Sequence, residues 1–285
     1  MPRIAIMQGR LLPLQDGRYQ AFPRQRWREE FALAAQAGLD AIEWIYDLQG
    51  VDANPIATED GVAEMRDLAR RYAVEVVSLC AHYFIDRPFV TAGPAEFAEL
   101  AAVLRWLVDR CRAAGISRIA LPFLDNARIE TPPQRARILA MLRGELPHAR
   151  SSGVEIHLET SLAPEELAAL LAELPDPALK VNYDTGNSAS LGYDVRRELA
   201  AYGPRIGSVH IKDRVCRGGT VPLGEGDVEF PVVFSGLAAI DYGGDYVFEV
   251  ARAREGDEAG SARRNRAFLL RGLEQARRTV PGDLP

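Results

Sequence analysis

At 285 residues the chain is long enough for one large domain or two ordinary ones, and a single α/β barrel typically takes about 250. Its 34 basic and 40 acidic residues leave a net charge of −6, which gives no basic face for nucleic acid, and no apolar run approaches the roughly 20 residues that cross a bilayer. Three widely spaced cysteines, Cys80, Cys111 and Cys216, suggest neither a disulfide framework nor a thiolate zinc cage and fit a reducing, cytoplasmic setting.

From the N-terminus, short β-rich runs alternate with Ala/Leu/Arg-rich helical patterns. The opening apolar run is too short for a signal peptide and predicts a strand over 3–7, followed by a helix over 24–37 closed by Gly38. A strand over 41–45 precedes a helix over 58–72, and a strand over 74–80 precedes a helix over 95–114 that stops at Gly115. The strand over 117–121 leads to a helix that opens with Pro132-Pro133 and ends before Gly153. Strands over 154–159 and 179–183 lead to helices from Pro164 and over 193–201. The last two units pair strands over 206–211 and 246–250 with helices over 231–240 and 258–278. Proline at helix starts and glycine after helix ends are the expected start and stop signals.

Eight β-then-α units without a composition break predict parallel strands closed into a single (β/α)8 TIM barrel, one domain over 1–285. A doubly wound open sheet is the alternative, but no glycine-rich dinucleotide fingerprint follows the first strand. Two long loops, 9–23 and 214–229, fall at the C-terminal mouth of such a barrel, where active sites are built. Gly218, Gly219, Gly224 and Gly226 give the second the composition of a mobile lid or of a backbone in close approach to a ligand.

The predicted strand ends carry a pattern. With a period of two, His157 and Glu159 share one face, Asn182 and Asp184 another, and His210 and Lys212 a third; Glu249 ends the eighth strand. Four consecutive strands thus deliver Glu159, Asp184, His210 and Glu249 to one mouth. Each acid taken singly could pair with an arginine or cap a helix. Three carboxylates and an imidazole converging together repel unless a cation neutralises them. The oxygen-rich set with one nitrogen suits one divalent metal ion, Mn²⁺ or Mg²⁺ first, and tolerates Zn²⁺ or Co²⁺.

Glu159, Asp184-Thr-Gly-Asn187, His210-Ile-Lys-Asp213, Val221-Pro-Leu-Gly-Glu-Gly-Asp-Val228 and Phe248-Glu249 resemble the sugar-phosphate isomerase/epimerase family with the xylose-isomerase-like barrel. Met7-Gln-Gly-Arg10, the segment 30–44 and Ser78-Leu-Cys-Ala-His82 fit the same family, so the resemblance spans nearly the whole chain. Its nearest subgroup by motif is the 3-epimerases of ketopentose 5-phosphates. The resemblance implies one divalent metal held by Glu159, Asp184, His210 and Glu249. Asn187 stands where the similar free-ketose 3-epimerases place a histidine. The four histidines, His82, His148, His157 and His210, are too few for the multi-zinc cluster of the related abasic-site endonucleases.

These residues permit proton transfer beside a carbonyl, through a metal-bound enediolate between Glu159 and Glu249. Two opposed bases invert a carbon, while return of the proton to the neighbouring carbon would make an isomerase instead. Lys212 is a candidate donor to a substrate oxygen, or a salt-bridge partner of a nearby acid. His82 and Asn187 are candidate substrate contacts, and Asp213 orients a neighbour or caps its turn. Arg10, Arg214 and Arg252 are candidates for a substrate phosphate. His157 reads as core or support, His148 as surface, Glu43 as a weaker pocket acid and Trp44 as core. The expected partner is a small sugar or sugar phosphate, with no nucleic acid and no membrane. Barrels of this kind often pair into homo-oligomers, though no interface is named. The competing readings are a metal-dependent dehydratase or lyase of a sugar-like acid and a non-catalytic sugar-binding protein.

Overall fold

Apolar runs become parallel strands here because helices cover their outer faces and side chains fill the space between them. The computed structural model describes residues 2–253 and 256–279, so the ends of the expected 1–285 domain lie outside the described residues. Its barrel strands are β1 (Ile4–Met7), β2 (Ala41–Ile45), β3 (Glu75–Cys80), β4 (Arg118–Phe123), β5 (Glu155–Thr160), β6 (Leu179–Asp184), β7 (Ile206–Ile211) and β8 (Asp245–Phe248). They form one closed barrel in chain order. Closure is made by β1, where Ala5 stands opposite Ala41 on one side and Val247 on the other. That double pairing excludes the open sheet.

The surrounding helices are α1 (Glu29–Ala37), α2 (Glu59–Tyr72), α3 (Pro94–Ala114), α4 (Pro132–Ser152), α5 (Pro164–Ala172), α6 (Thr185–Leu191), α7 (Val195–Tyr202), α8 (Phe230–Ala239) and α9 (Glu258–Thr279). Thr131 starts α4 by accepting from the Gln134 N–H, while Gln134 Oε1 accepts from Thr131 N at 3.0 Å, a reciprocal cap of two otherwise orphaned donors. Outside β2, the indole of Trp44 packs against Trp27, Phe31 and Phe22 with ring centroids 5.5–6.3 Å apart. Trp44 is therefore core, as expected. Among the described residues, no helix is long and apolar enough to cross a membrane, and the three cysteines are free.

Most boundaries fall within one or two residues of expectation, and three differences have a structural consequence. Helix α1 begins at Glu29 rather than 24, because Pro23 O accepts from both Arg26 N and Trp27 N in a turn that buries Trp27. The helical pattern expected over 193–201 is preceded by a separate helix, α6, which starts directly at the end of β6. Strand β8 ends at Phe248, so Glu249 lies one residue past it, although Glu249 N still donates to Ile211 O at 3.2 Å. The loop after β7 is folded by Asp213, whose carboxylate accepts from Gly224 N (2.8 Å), Gly226 N (3.0 Å) and Val228 N (3.2 Å). Asp213–Arg214 also pairs antiparallel with Thr220–Val221. A Cβ on Gly226 would lie 2.3 Å from Asp213 Oδ1, so glycine there permits this turn's close packing.

Candidate functional site

Four neighbouring strand ends bring Glu159, Asp184, His210 and Glu249 together. Asp184 stands opposite His210 in the β6–β7 register. One donor atom from each of the four lies within 4.8 Å of the others, and all four residues are buried. The His210 ring organises the set. Its Nδ1 is 2.9 Å from Glu249 Oε2, 3.7 Å from Glu159 Oε2 and 3.9 Å from Asp184 Oδ2. Its Nε2 faces the opposite way, 2.9 Å from Glu43 Oε1 though out of hydrogen-bond alignment. Glu43 is fully buried and its other oxygen accepts from Ser78 Oγ at 2.7 Å. It therefore stands behind the histidine rather than in the cavity.

Glu159 is gripped at both oxygens. Asn187 Nδ2 donates to Oε1 (2.9 Å) and Asn182 Nδ2 to Oε2 (3.0 Å). Behind Asn182 a chain of contacts descends the barrel: Ser208 Oγ donates to Asn182 Oδ1 at 2.7 Å, and His157 Nδ1 lies 2.8 Å from Ser208 Oγ. Since Ser208 gives its proton to Asn182, His157 is the donor in that contact. Its Nε2 is 2.8 Å from Glu155 Oε2, whose side chain is 45% exposed at the far end of β5. His157 is thus buried support, as one of its readings held, and His148 is at the surface beside Asp109. Asp184 Oδ1 accepts from Asn187 N at 2.7 Å and so caps α6. A Cβ on Gly186 would meet Lys212 Cγ at 2.7 Å. The Thr-Gly step after Asp184 therefore lets the lysine pass.

Lys212 Nζ reaches Glu249 Oε1 (2.7 Å) and Asp184 Oδ2 (3.4 Å). Burial opposes its charge, but these acids outweigh it and raise its pKa. Burial likewise opposes ionisation of Glu249, yet Lys212 and then His210 hold its carboxyl well below the usual range. Glu159 is pushed the other way, up to about 8, by burial that the His210 charge offsets only in part. Asp184 is also raised, by burial against the pull of Lys212. Two carboxylates in one cluster are thereby driven apart in proton affinity.

Above the cluster opens a cavity of about 510 Å³ lined by His82, Asn187, Lys212 and Arg214 among others. Arg10 and Arg252 are absent from its lining and hold the loop after β1 instead. Arg10 donates to Tyr19 O (2.8 Å) and Gln20 Oε1 (2.9 Å), with Nη2 4.0 Å from Glu249 Oε1. Arg252 donates to the carbonyls of Gly9, Leu12 and Tyr19. Tyr19 and Gln20, so placed, line the cavity. Reading by sequence did not single them out, nor Cys80, Arg128 and Arg217, which also line it. Asn182 carried a detectable signal, its position two residues before Asp184 on the inward face; the loop residues carried none.

The same loop rests on Glu30 of α1, fully buried, whose Oε1 accepts from Gly9 N at 2.6 Å. Burial raises its pKa to about 8 from 4.5. Between those values the folded chain holds a proton on Glu30 that the unfolded chain releases, so this group's contribution to stability is fully present below 4.5 and is lost as pH rises through about 8. The loss is on the order of 5 kcal/mol at most. Glu30→Gln is expected to flatten this part of the pH dependence of Tm, measured by thermal unfolding between about pH 5 and about pH 9. A slope identical to the parent would contradict the assignment.

Comparison with known proteins agrees with this architecture. Residues 31–271 match the model of the xylose isomerase-like TIM barrel family. A curated L-ribulose-5-phosphate 3-epimerase of Salmonella paratyphi A is 28% identical over 240 residues, covering 79% of this chain and 82% of the relative. Among solved structures, an L-ribulose 3-epimerase superposes with a TM-score of 0.78 at 22% identity over 100% of both chains. The IOLI protein with a bound zinc atom superposes at 0.76 and 15% identity, over 96% of this chain and 99% of the other.

Proposed function

We propose, from the premise that this chain belongs to the xylose isomerase-like TIM barrel family, that it is a 3-epimerase of a small ketose or ketose phosphate working with one divalent cation. The broader class, a sugar isomerase or epimerase, follows from the family and the curated ribulose-phosphate epimerase relative. The observation that carries the narrower reading is the placement of two carboxylates, Glu159 on strand five and Glu249 just past the end of strand eight, beside the same His210 Nδ1.

The cluster fits a cation by its donor chemistry. Three buried carboxylates converge with His210 Nδ1, while the ring's other nitrogen faces the buried Glu43 carboxylate at 2.9 Å, a neighbour placed to orient a ligating histidine. Glu159, Asp184, His210 and Glu249 would hold the ion. Mn²⁺ or Mg²⁺ suits the oxygen-rich set, and Zn²⁺ or Co²⁺ is tolerated. When bound, it would supply Lewis-acid polarisation of a substrate carbonyl.

The remaining work falls to the chain. One glutamate removes the proton from the carbon beside the carbonyl, and the other returns a proton to the opposite face, which inverts that carbon. The two amide donors on Glu159 fix the direction in which its carboxylate points. Lys212 has two of its three N–H donors on Glu249 and Asp184, which leaves one for a substrate oxygen as charge develops there. His82 and Asn187 line the cavity as further contacts.

Incubation with a panel of ketoses and ketose phosphates in D₂O, with divalent metal present, tests this reading. Deuterium at the carbon next to the carbonyl is expected for at least one member. No exchange with any, despite bound metal, would favour the lyase or sugar-binding readings. Glu43→Gln is expected to lower metal affinity by about 10- to 100-fold through the loosened histidine, read by titration of metal into the stripped protein. Unchanged affinity would remove Glu43 from this role.

A further inference from the structure

We infer that Ser208 and His157 are positioning residues for the Glu159 base, holding the Asn182 amide so that its nitrogen faces that carboxylate; this rests on the epimerase reading above. Asn182 has two ends and two neighbours. Its Nδ2 donates to Glu159 Oε2 at 3.0 Å, and its Oδ1 accepts from Ser208 Oγ at 2.7 Å. A half-turn of the amide would set Oδ1 against the carboxylate, acceptor facing acceptor. The Ser208 hydroxyl opposes that turn, because its proton has Oδ1 as partner. His157 Nδ1 stands 2.8 Å from Ser208 Oγ, and the ring is tied at its far side, with Nε2 2.8 Å from Glu155 Oε2. Asn182, Ser208 and His157 are each no more than 2% exposed, so no bulk water stands in for a lost link.

The backbone is built around this pillar. Between β6 and β7 the register shifts. Val181 stands opposite Ile206 but Asn182 opposite Ser208, so Gly207 is an extra residue in β7. Such a bulge re-aims the side chains that follow it. Here it brings Ser208 level with Asn182 and His210 level with Asp184. The residue passed over has to be small. A Cβ on Gly207 would lie 2.5 Å from His157 Cε1 and 2.7 Å from its Nε2, so the ring occupies the space of the missing side chain. The pairing of β2 with β3 shifts in the same manner, passing over Val77 and setting Ser78 opposite Glu43. The Glu43 carboxylate accepts the Ser78 hydroxyl and backs His210. Both register shifts thus put a serine beneath a residue that touches the cluster. Packing alone asks for neither hydroxyl.

The test uses Ser208→Ala, which removes the hydroxyl, and His157→Phe, which keeps a ring over Gly207 without its nitrogens. At saturating metal, Ser208→Ala is expected to lower kcat for C3 proton exchange by about 10- to 100-fold, with KM changed less than about threefold. His157→Phe, one link further away, should lower it at least about fivefold. Isotope effects separate positioning from damage. With both epimers deuterated at C3, a displaced Glu159 should change the ratio of their isotope effects on kcat, because Glu159 takes the proton from one face only. Partial unfolding reduces the amount of active enzyme and moves neither isotope effect. Parent-like kcat in Ser208→Ala, or a lowered kcat with both isotope effects unchanged, would overturn the positioning role. A readout without turnover keeps the two proposals apart. The Asn182 side-chain amide, assigned by NMR through Asn182→Asp, should exchange its protons with solvent slowly in the parent and at least about tenfold faster in both variants. Equally slow exchange in all three proteins would overturn the pillar whatever the activity. Faster exchange in both variants, with no C–H exchange on any ketose in the parent, would uphold the pillar and overturn the epimerase reading.

Discussion

Glu159→Gln is expected to lower the rate of C3 proton exchange by roughly 10²- to 10⁴-fold at saturating metal, the range that removal of a general base gives. The effect has two parts. An amide cannot take the proton, and it cannot accept at both positions. In the parent, Asn187 and Asn182 each donate to one Glu159 oxygen, so the new NH₂ group faces a donor. Relief requires one asparagine to turn, breaking its link to Arg214 or to Ser208. Glu249→Gln should show a loss of similar size, because an amide there cannot take the proton either and gives Lys212 a weaker acceptor. Measuring kcat separately from KM and at several metal concentrations separates lost chemistry from lost metal. Retention of more than about a tenth of the exchange rate in either variant would remove that residue from the base role.

Asp184→Asn is expected to weaken binding of a divalent cation by at least about 100-fold while leaving Tm nearly unchanged. Asparagine serves as a helix N-cap about as well as aspartate, so the bond from Asn187 N that starts α6 survives, while the charge that the cation needs does not. His210→Ala should lose metal as well, at a higher structural cost. It leaves Glu43 fully buried without its imidazole, and a stranded buried charge typically costs about 3–5 kcal/mol. Metal content after purification, calorimetric titration of the stripped proteins and thermal unfolding together check both. Full metal binding by Asp184→Asn would contradict the four-residue site.

Much of this was legible in the sequence because strand and helix periods are short and local. Period-two alternation put Glu159 beside His157, Asp184 beside Asn182 and Lys212 beside His210 on inward faces, and the barrel brings those strand ends together. Asp213 was legible as a turn cap, since a carboxylate followed by several glycines leaves N–H groups for it to hold. Of the arginines, Arg214 was legible as a residue near the cavity, whereas Arg128 and Arg217 were not. Arg10 and Arg252 fall near strand ends as a substrate contact would, and in the fold both hydrogen-bond the loop after β1, Arg10 through Tyr19 O and Gln20 Oε1 and Arg252 through backbone carbonyls. Arg128 and Arg217 sit in irregular segments where no period predicts direction, and only the folded loops carry them to the cavity. Glu43 read as a weak pocket acid for a related reason. Alternation showed that it points inward, but not that His210 stands between it and the cavity.

The most direct test of the two opposed glutamates is the early time course of deuterium incorporation, followed by NMR in D₂O with the ketose phosphate that exchanges best. Two bases on opposite faces should give a C3 epimer that carries deuterium at C3 from the first turnovers, while the remaining substrate stays unlabelled. Equal labelling of substrate and product from the start, or deuterium appearing at C2 of an aldose product, would contradict epimerisation between Glu159 and Glu249.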